Sequence, residues 1–250
     1  MIIKTISNYI EINKITYIMI LISLLTASFH MLFFISILII VHEFGHLLTA
    51  KCFKVKVDKI YIYPFGGIAK FYLPENYSIL KELIILINGP LFQEIAKIIL
   101  IIIFPKYSNS IILYHYSILL FNLLPIYPLD GGKLLNLLIS FITPYKKSLL
   151  ISIIISYLMV LFIFIININS IKLNTLIVVF FLLYKIKIEE NNINYKYESF
   201  LLERYLDSYK YKRKEIIDNE KNFYKEKSHI INYNNKYYFE DEFLIKKYKK

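Results

Sequence analysis

Six stretches of the chain, rich in Ile, Leu, Phe and Val, are candidate bilayer spans: about Ile15 to Ala27, Met31 to Phe53, Ser78 to Phe104, Ile111 to Leu124, Leu149 to Ile166 and Leu173 to Ile186. A spanning α-helix needs about 20 apolar residues, because hydrocarbon offers no partner for a backbone N–H or C=O and each must be satisfied within the segment. The first run is short unless Tyr9 to Asn13 contributes. Ahead of it Met1 to Lys14 carries Lys4, Glu11 and Lys14, with no small-residue cleavage site after it, so it reads as a retained span rather than a removed signal peptide. The composition agrees: 57% of residues are hydrophobic and mean hydropathy is +0.50, far above an ordinary soluble domain. The expected fold is therefore an α-helical polytopic membrane protein with about six transmembrane helices. Cys52 is the only cysteine, so no intrachain disulfide can form.

Two regions depart from the helical pattern. Val55 to Tyr63 alternates apolar and polar residues, Pro64-Phe65-Gly66-Gly67 follows, and Ile68 to Leu73 resumes, which is the signature of a β-hairpin. Lys51, Lys54, Lys56, Lys59, Lys70 and Lys81 crowd this connection and Lys146 and Lys147 follow the fourth run, whereas the opposite loops hold only Lys106 and Lys172. The positive-inside rule then puts both termini in the cytoplasm. Most of the formal charge of +11 is this asymmetry, and nothing in it points to nucleic acid. From about Ile188 the chain is polar, with 14 Lys/Arg against 12 Asp/Glu. The expected division is a membrane-embedded domain over 1–187 and a cytosolic tail over 188–250.

Inside the second run lies Val41-His42-Glu43-Phe44-Gly45-His46-Leu47, a His-Glu-x-x-His. Residues four apart share one helix face, so His42 and His46 can hold one metal ion while Glu43 serves as the base that takes a proton from the attacking water. The acidic residues in apolar surroundings that could supply a third ligand are, besides Glu43, Glu94 and Asp130. Counting roughly 1.5 Å per residue, the histidines sit about 10 to 16 Å from the cytoplasmic end of their span, and Glu94 about 22 Å deep in an oppositely directed one. Asp130 follows the Pro125 and Pro128 break near the cytoplasmic side, where irregular backbone lining a cavity is tolerated. Two histidines and a carboxylate leave a fourth zinc position open for water. Asp130 also stands where a helix N-cap would, ahead of Gly131-Gly132-Lys133 and an apolar helix.

The segment Asn122-Leu123-Leu124-Pro125-Ile126-Tyr127-Pro128-Leu129-Asp130-Gly131-Gly132-Lys133 resembles the second signature of the site-2 proteases, intramembrane zinc metalloproteases of peptidase family M50. Its form, without proline after the asparagine, looks like the sporulation branch of that family. The resemblance implies zinc held by His42, His46 and Asp130, with Glu43 as general base and acid and Asn122 near the substrate backbone. It implies a membrane-dipping hairpin around Pro64-Phe65-Gly66-Gly67 that guides extended substrate toward the metal. It also implies, as substrate, the pro-segment of a sporulation sigma factor, pro-sigma-K, cleaved at the membrane around the forespore, with inhibitory membrane proteins as partners. Asn88-Gly89-Pro90 interrupts the run from Ser78 to Phe104, and Asn88-Gly89-Pro90-Leu91-Phe92-Gln93 resembles the family's Ala-Gly-Pro-x-x-Asn stretch, from which Asn88 and Gln93 depart. A cytosolic CBS domain is expected after the sixth span. The tail has room for a reduced version, with Ser228 to Phe239 as two strands about an Asn-Asn-Lys turn, Glu240 to Lys249 as a helix, and Leu201 to Ile217 supplying the helix and strand before them.

Other polar residues read more plainly. His30 is interfacial, His115 packs between helices, His229 has no partner at a suggestive spacing, and Lys97 at i+3 accounts for Glu94. Three rival classes fit some of the same features: a general site-2 protease cutting anti-sigma factors or membrane peptides, a pseudoprotease scaffold, and a channel or carrier with a coincidental motif.

Overall fold

In the computed structural model the described residues are 10–12, 29–63, 66–168, 172–207, 209, 211–233 and 236–249. The run at Ile15 to Ala27 and the turn residues Pro64, Phe65, Asn234 and Asn235 lie outside them. The chain packs as two compact units, one comprising Met1–Leu73 and Leu83–Phe121, the other Pro74–Glu82 and Asn122–Lys250.

The first unit is built on helix α1 (Phe29–Cys52). Its buried residues Phe34, Leu38, His42, Gly45, His46 and Ala50 recur at helical spacing, so one face is committed inward. The helix stops because Lys54 takes a left-handed conformation (φ 60°). Val55 N–H then donates to Ala50 O and Lys54 N–H to Lys51 O, both at 2.9 Å, the paired bonds of a Schellman ending. The chain turns directly into β2 (Lys56–Tyr63), which pairs antiparallel with β3 (Gly66–Tyr72), with an irregularity between Val57 and Lys59. This is the expected hairpin. A third strand was not expected: β1 (Ile10–Ile12) adds parallel to β2, Ile10 opposite Ile60 and Ile12 opposite Ile62. Helix α2 (Ile79–Ile103) runs unbroken through Asn88-Gly89-Pro90, where the sequence predicts an interruption. Pro90 removes only one N–H from the ladder, and tertiary packing keeps membrane helices continuous across such a gap. Helix α3 (Ser108–Asn122) follows, and Phe34, Leu38, Ala96, Leu100 and Ile111 form the core where the three helices meet.

In the second unit a turn over residues 123–129 leads to α4 (Asp130–Ser140), then α5 (Tyr145–Ile166), α6 (Leu173–Asn191) and α7 (Ile193–Asp207). Strands β4 (Lys214–Ile217), β5 (Ser228–Tyr233) and β6 (Lys236–Phe239) form a sheet, β4 parallel and β6 antiparallel to β5, and α8 (Glu240–Tyr248) closes the chain. The strand, strand, helix order expected of the tail is present. One hydrophobic cluster joins Leu149, Ile153, Val179 and Leu182 of the long helices to Phe200, Phe223, Ile231 and Leu244 of the tail, so the tail is folded rather than solvated. Its polar hub is Arg204, fully buried. It donates to Glu240 (2.5 Å), Asn76 (2.9 Å) and the carbonyls of Tyr224 and Lys227 (3.0 and 2.9 Å). His229 also has a partner that sequence spacing did not show: its Nδ1 lies 3.0 Å from Glu240 Oε2, and its Nε2 accepts the Tyr224 N–H. Glu203 accepts the N–H groups of Glu75 and Asn76 in the segment ahead of α2, and Glu226 that of Ile79, the first residue of α2, so a tail carboxylate serves one of the amides that the helix start leaves without an intrahelical partner.

Among the described residues three helices, α1, α2 and α5, are long and apolar enough to cross a membrane. Along α2 the residues Ile84, Ile87, Leu91, Ile95, Ile98 and Ile102 are exposed at successive helical turns, and along α5 so are Ile154, Leu158, Leu161 and Ile165. Continuous apolar stripes of this kind are untenable in water and match lipid. The chain is a membrane protein.

Candidate metal centre

The two histidines of α1 are both buried, His42 at 1% and His46 at 4% exposure, and their positions four residues apart bring the rings together edge to face. Each ring is fixed from behind. His42 Nδ1 lies 2.8 Å from Gln93 Oε1 and His46 Nδ1 lies 2.8 Å from the carbonyl of Ile85. Both partners are acceptors, so both Nδ1 atoms carry the proton and both Nε2 atoms present a lone pair. Those Nε2 atoms stand 3.1 Å apart. Two zinc–nitrogen bonds of about 2.0–2.1 Å at a tetrahedral angle set their nitrogens about 3.3 Å apart, so the pair fits one zinc ion. The backing by a side-chain amide and a carbonyl is the outer arrangement that metal-ligating histidines require.

Helix α2 supplies both supports, and two glycines let it come close enough. A Cβ on Gly45 would fall 2.5 Å from Asn88 O, and one on Gly89 would fall 2.3 Å from the His46 ring. Small residues at a helix contact are how membrane helices approach without a hydrophobic driving force. Asn88 is turned the other way, donating to Ile84 O of its own helix. Gln93, fully buried, is the contact of the histidine pair that sequence reasoning missed. It appears there only as a departure from a pattern, although a buried amide in an apolar span is costly enough to require a partner. Glu94 pairs with Lys97, as its i+3 spacing predicts, and with His115 Nε2 at 2.9 Å. Glu43 lies half-buried on α1 next to His42.

In the second unit, Asp130 stands in the first turn of α4, not at its cap. The N-cap is Leu129, and no side chain caps the helix. The capping reading of Asp130 is thereby corrected, since an N-cap must lie outside the first helical residue to reach back to the free amides. The turn that delivers Asp130 is tightly held. A Cβ on Gly131 would fall 2.2 Å from Leu123 O and one on Gly132 2.4 Å from the Ile126 carbonyl carbon, so only glycine lets the segment fold back over this turn. Ile126 is fully buried, and the Tyr127 N–H donates to Ser156 Oγ at 2.8 Å. Lys196 Nζ sits 4.6 Å from the centre of the Tyr127 ring. Asn122 is the half-buried last residue of α3.

The family model described as Peptidase family M50 matches residues 30–110 and 105–166, more than half of the chain. Stage IV sporulation protein FB of Bacillus subtilis (strain 168) is 29% identical over 204 residues, 78% of this chain and 71% of that protein. A zinc metalloprotease of Methanocaldococcus jannaschii is 36% identical over 136 residues, 50% of this chain and 38% of that protein. Among solved structures the site-2 protease from the same archaeon superposes with a TM-score of 0.55 at 26% identity, covering 72% of this chain and 89% of the other.

Proposed function

Because the chain belongs to peptidase family M50, we propose that it is an intramembrane zinc endopeptidase in which His42, His46 and Asp130 hold the metal and Glu43 is the general base and acid. The observation that carries this reading is the histidine pair, with both Nδ1 atoms committed to acceptors and both Nε2 atoms turned to one point. Asp130, the acid of the proline-broken second signature, is the proposed third ligand and would complete a set of two histidines and one acid. Zinc bound there lowers the pKa of a water and polarises the scissile carbonyl. The Glu43 carboxylate takes the proton of the attacking water and passes it to the leaving amide nitrogen. Asn122 holds the substrate backbone. The substrate must arrive extended, since a helix hides its amides, and the β2–β3 hairpin offers an edge for such a strand.

The likeness to a sporulation protein supports a membrane-associated pro-sigma factor, pro-sigma-K, as substrate, at the cell membrane or the membrane around the forespore. Inhibitory membrane proteins would then keep the enzyme silent. Six apolar runs support six spans over 1–187, lysine distribution supports both termini in the cytoplasm, and the β4–β6 sheet with its two helices serves as a reduced, CBS-like docking tail over 188–250.

Metal analysis with a cleavage assay tests the reading. Purified wild type should hold one zinc per chain, Glu43→Gln should keep the metal and lose all cleavage, and Asp130→Ala should lose both. Full zinc content in Asp130→Ala sinks the ligand assignment. Co-expression with the cognate pro-sigma factor tests the substrate, and absence of Glu43-dependent processing moves the reading to a general site-2 protease.

A further inference from the structure

Behind His42 a line of buried polar groups continues across two helices. Gln93 is fully buried and its amide is used at both ends: Oε1 faces His42 Nδ1 at 2.8 Å, while Nε2 donates to the His115 carbonyl at 3.1 Å and lies 3.3 Å from His115 Nδ1. His115, also fully buried, sets its Nε2 2.9 Å from Glu94 Oε2, and Lys97 holds the other Glu94 oxygen. The Glu94 carboxylate lies 2.9 Å from His115 Nε2, off the line of an aligned N–H···O bond, and its charge favours the proton on that nitrogen, which leaves Nδ1 as the acceptor. That acceptor and the His115 carbonyl fix the amide nitrogen of Gln93 on their side, which turns Oε1 toward His42. The oxygen then selects the Nδ1–H tautomer of His42, the form that leaves Nε2 for a metal. An apolar residue at 93 would let the ring take either tautomer and rotate.

We infer that Gln93 is a positioning residue that holds His42 in its metal-binding tautomer, and that His115, anchored by Glu94 and Lys97, sets the direction of the Gln93 amide. The inference rests on the zinc reading above. Outer partners of this kind are worth about 10- to 100-fold in metal affinity, and the geometry makes separable demands on the residue. His42 needs an acceptor at position 93, whereas His115 needs a donor.

The test is zinc affinity of the full-length protein in detergent, by competition with a chelator, together with the visible absorption of the cobalt-substituted form. Gln93→Met keeps the length and removes the acceptor. It should weaken zinc by 10- to 100-fold and alter the cobalt bands. Gln93→Glu keeps an acceptor for His42 and should bind zinc within a few-fold of wild type with wild-type bands. Equal losses in the two variants would show a packing role, and an unchanged affinity in Gln93→Met would show none; either overturns the inference. Should Gln93→Met fail to fold, Gln93→Leu tests the acceptor with the same expected loss and the same refuting result. His115→Phe tests the relay: it keeps the backbone carbonyl of residue 115 but removes the Nδ1 acceptor, so a several-fold loss of zinc affinity supports the relay and an unchanged affinity overturns it. A wild-type protein that binds no zinc instead refutes the metal reading, a result distinguishable from these.

Discussion

Arg204→Met is the sharpest perturbation of the folded tail. In the native chain the guanidinium is fully buried, and its partner Glu240 has a side chain only 9% exposed. The substitution keeps much of the apolar stem but removes donors to Glu240, Asn76 and the carbonyls of Tyr224 and Lys227. The larger effect falls on what remains, because Glu240 keeps its charge without its cation. Breaking a buried pair from one side costs about 3–5 kcal/mol, and at about 1.4 kcal/mol per decade the tail should open roughly 10²- to 10³-fold more often. Hydrogen exchange of the β5 amides, Ile230 to Tyr233, reads that opening in the full-length protein. The double variant Arg204→Met/Glu240→Gln removes the stranded charge and should recover at least about 1 kcal/mol of the loss. Exchange that rises less than tenfold in the single variant, or a double variant no better than the single, would refute the assignment of Arg204 as the hub.

The tail should also loosen with acid. Burial, the largest influence, holds the His229 imidazole below its usual value of 6.5, against the Glu240 hydrogen bond and together with the Arg204 charge. The unfolded chain therefore takes up a proton that the folded one resists, so stability is full above pH 6.5 and falls as pH drops below it. Burial alone would raise Glu240, but the His229 hydrogen bond and the Arg204 charge hold it below 4.5, adding a second loss only under that value. Exchange of β5 should be faster at pH 5.5 than at 7.5, and His229→Gln should flatten the difference. Gly89→Ala drives a methyl into the His46 ring and should lower zinc affinity on the order of 100-fold; normal zinc content in that variant would contradict the close approach of α1 and α2. Lys54→Gly relieves the left-handed residue that ends α1 and should stabilise the protein by up to about 1 kcal/mol, checked by thermal unfolding in detergent.

What could be read from the sequence was what local spacing controls. His42 and His46 at i+4, Glu94 and Lys97 at i+3, and the alternation on either side of Pro64 each declare a geometry within one element or one turn. The supports could not be read that way. Gln93 reaches His42 across 51 positions and Ile85 reaches His46 across 39, through a helix contact that exists only because Gly45 and Gly89 are both small. His229 finds Glu240 through a hairpin register, and β1 joins β2 from the far side of a segment that hydropathy alone marks. Pro90 illustrates the converse: a strong local breaker is overridden because the helix around it is packed, and the sequence carries no trace of that packing beyond the glycine beside it.

The serines of α5 have a bearing on how the protein enters the membrane. Ser148 donates to Tyr145 O, Ser152 to Ser148 O and Ser156 to Ser152 O, so each hydroxyl has an acceptor inside the helix that bears it, Ser152 lying in addition 3.4 Å from Asn136 Oδ1 of α4. A hydroxyl satisfied in this way adds little to the cost of transfer into hydrocarbon, and the insertion machinery meets α5 as an apolar segment that can enter the bilayer before its neighbours arrive. The oxygen of Ser156 keeps lone pairs, and once the chain assembles it accepts the Tyr127 N–H. The same side chain is thus silent during insertion and directional afterwards, giving the proline turn ahead of Asp130 a fixed seat through a neutral hydroxyl rather than a charge.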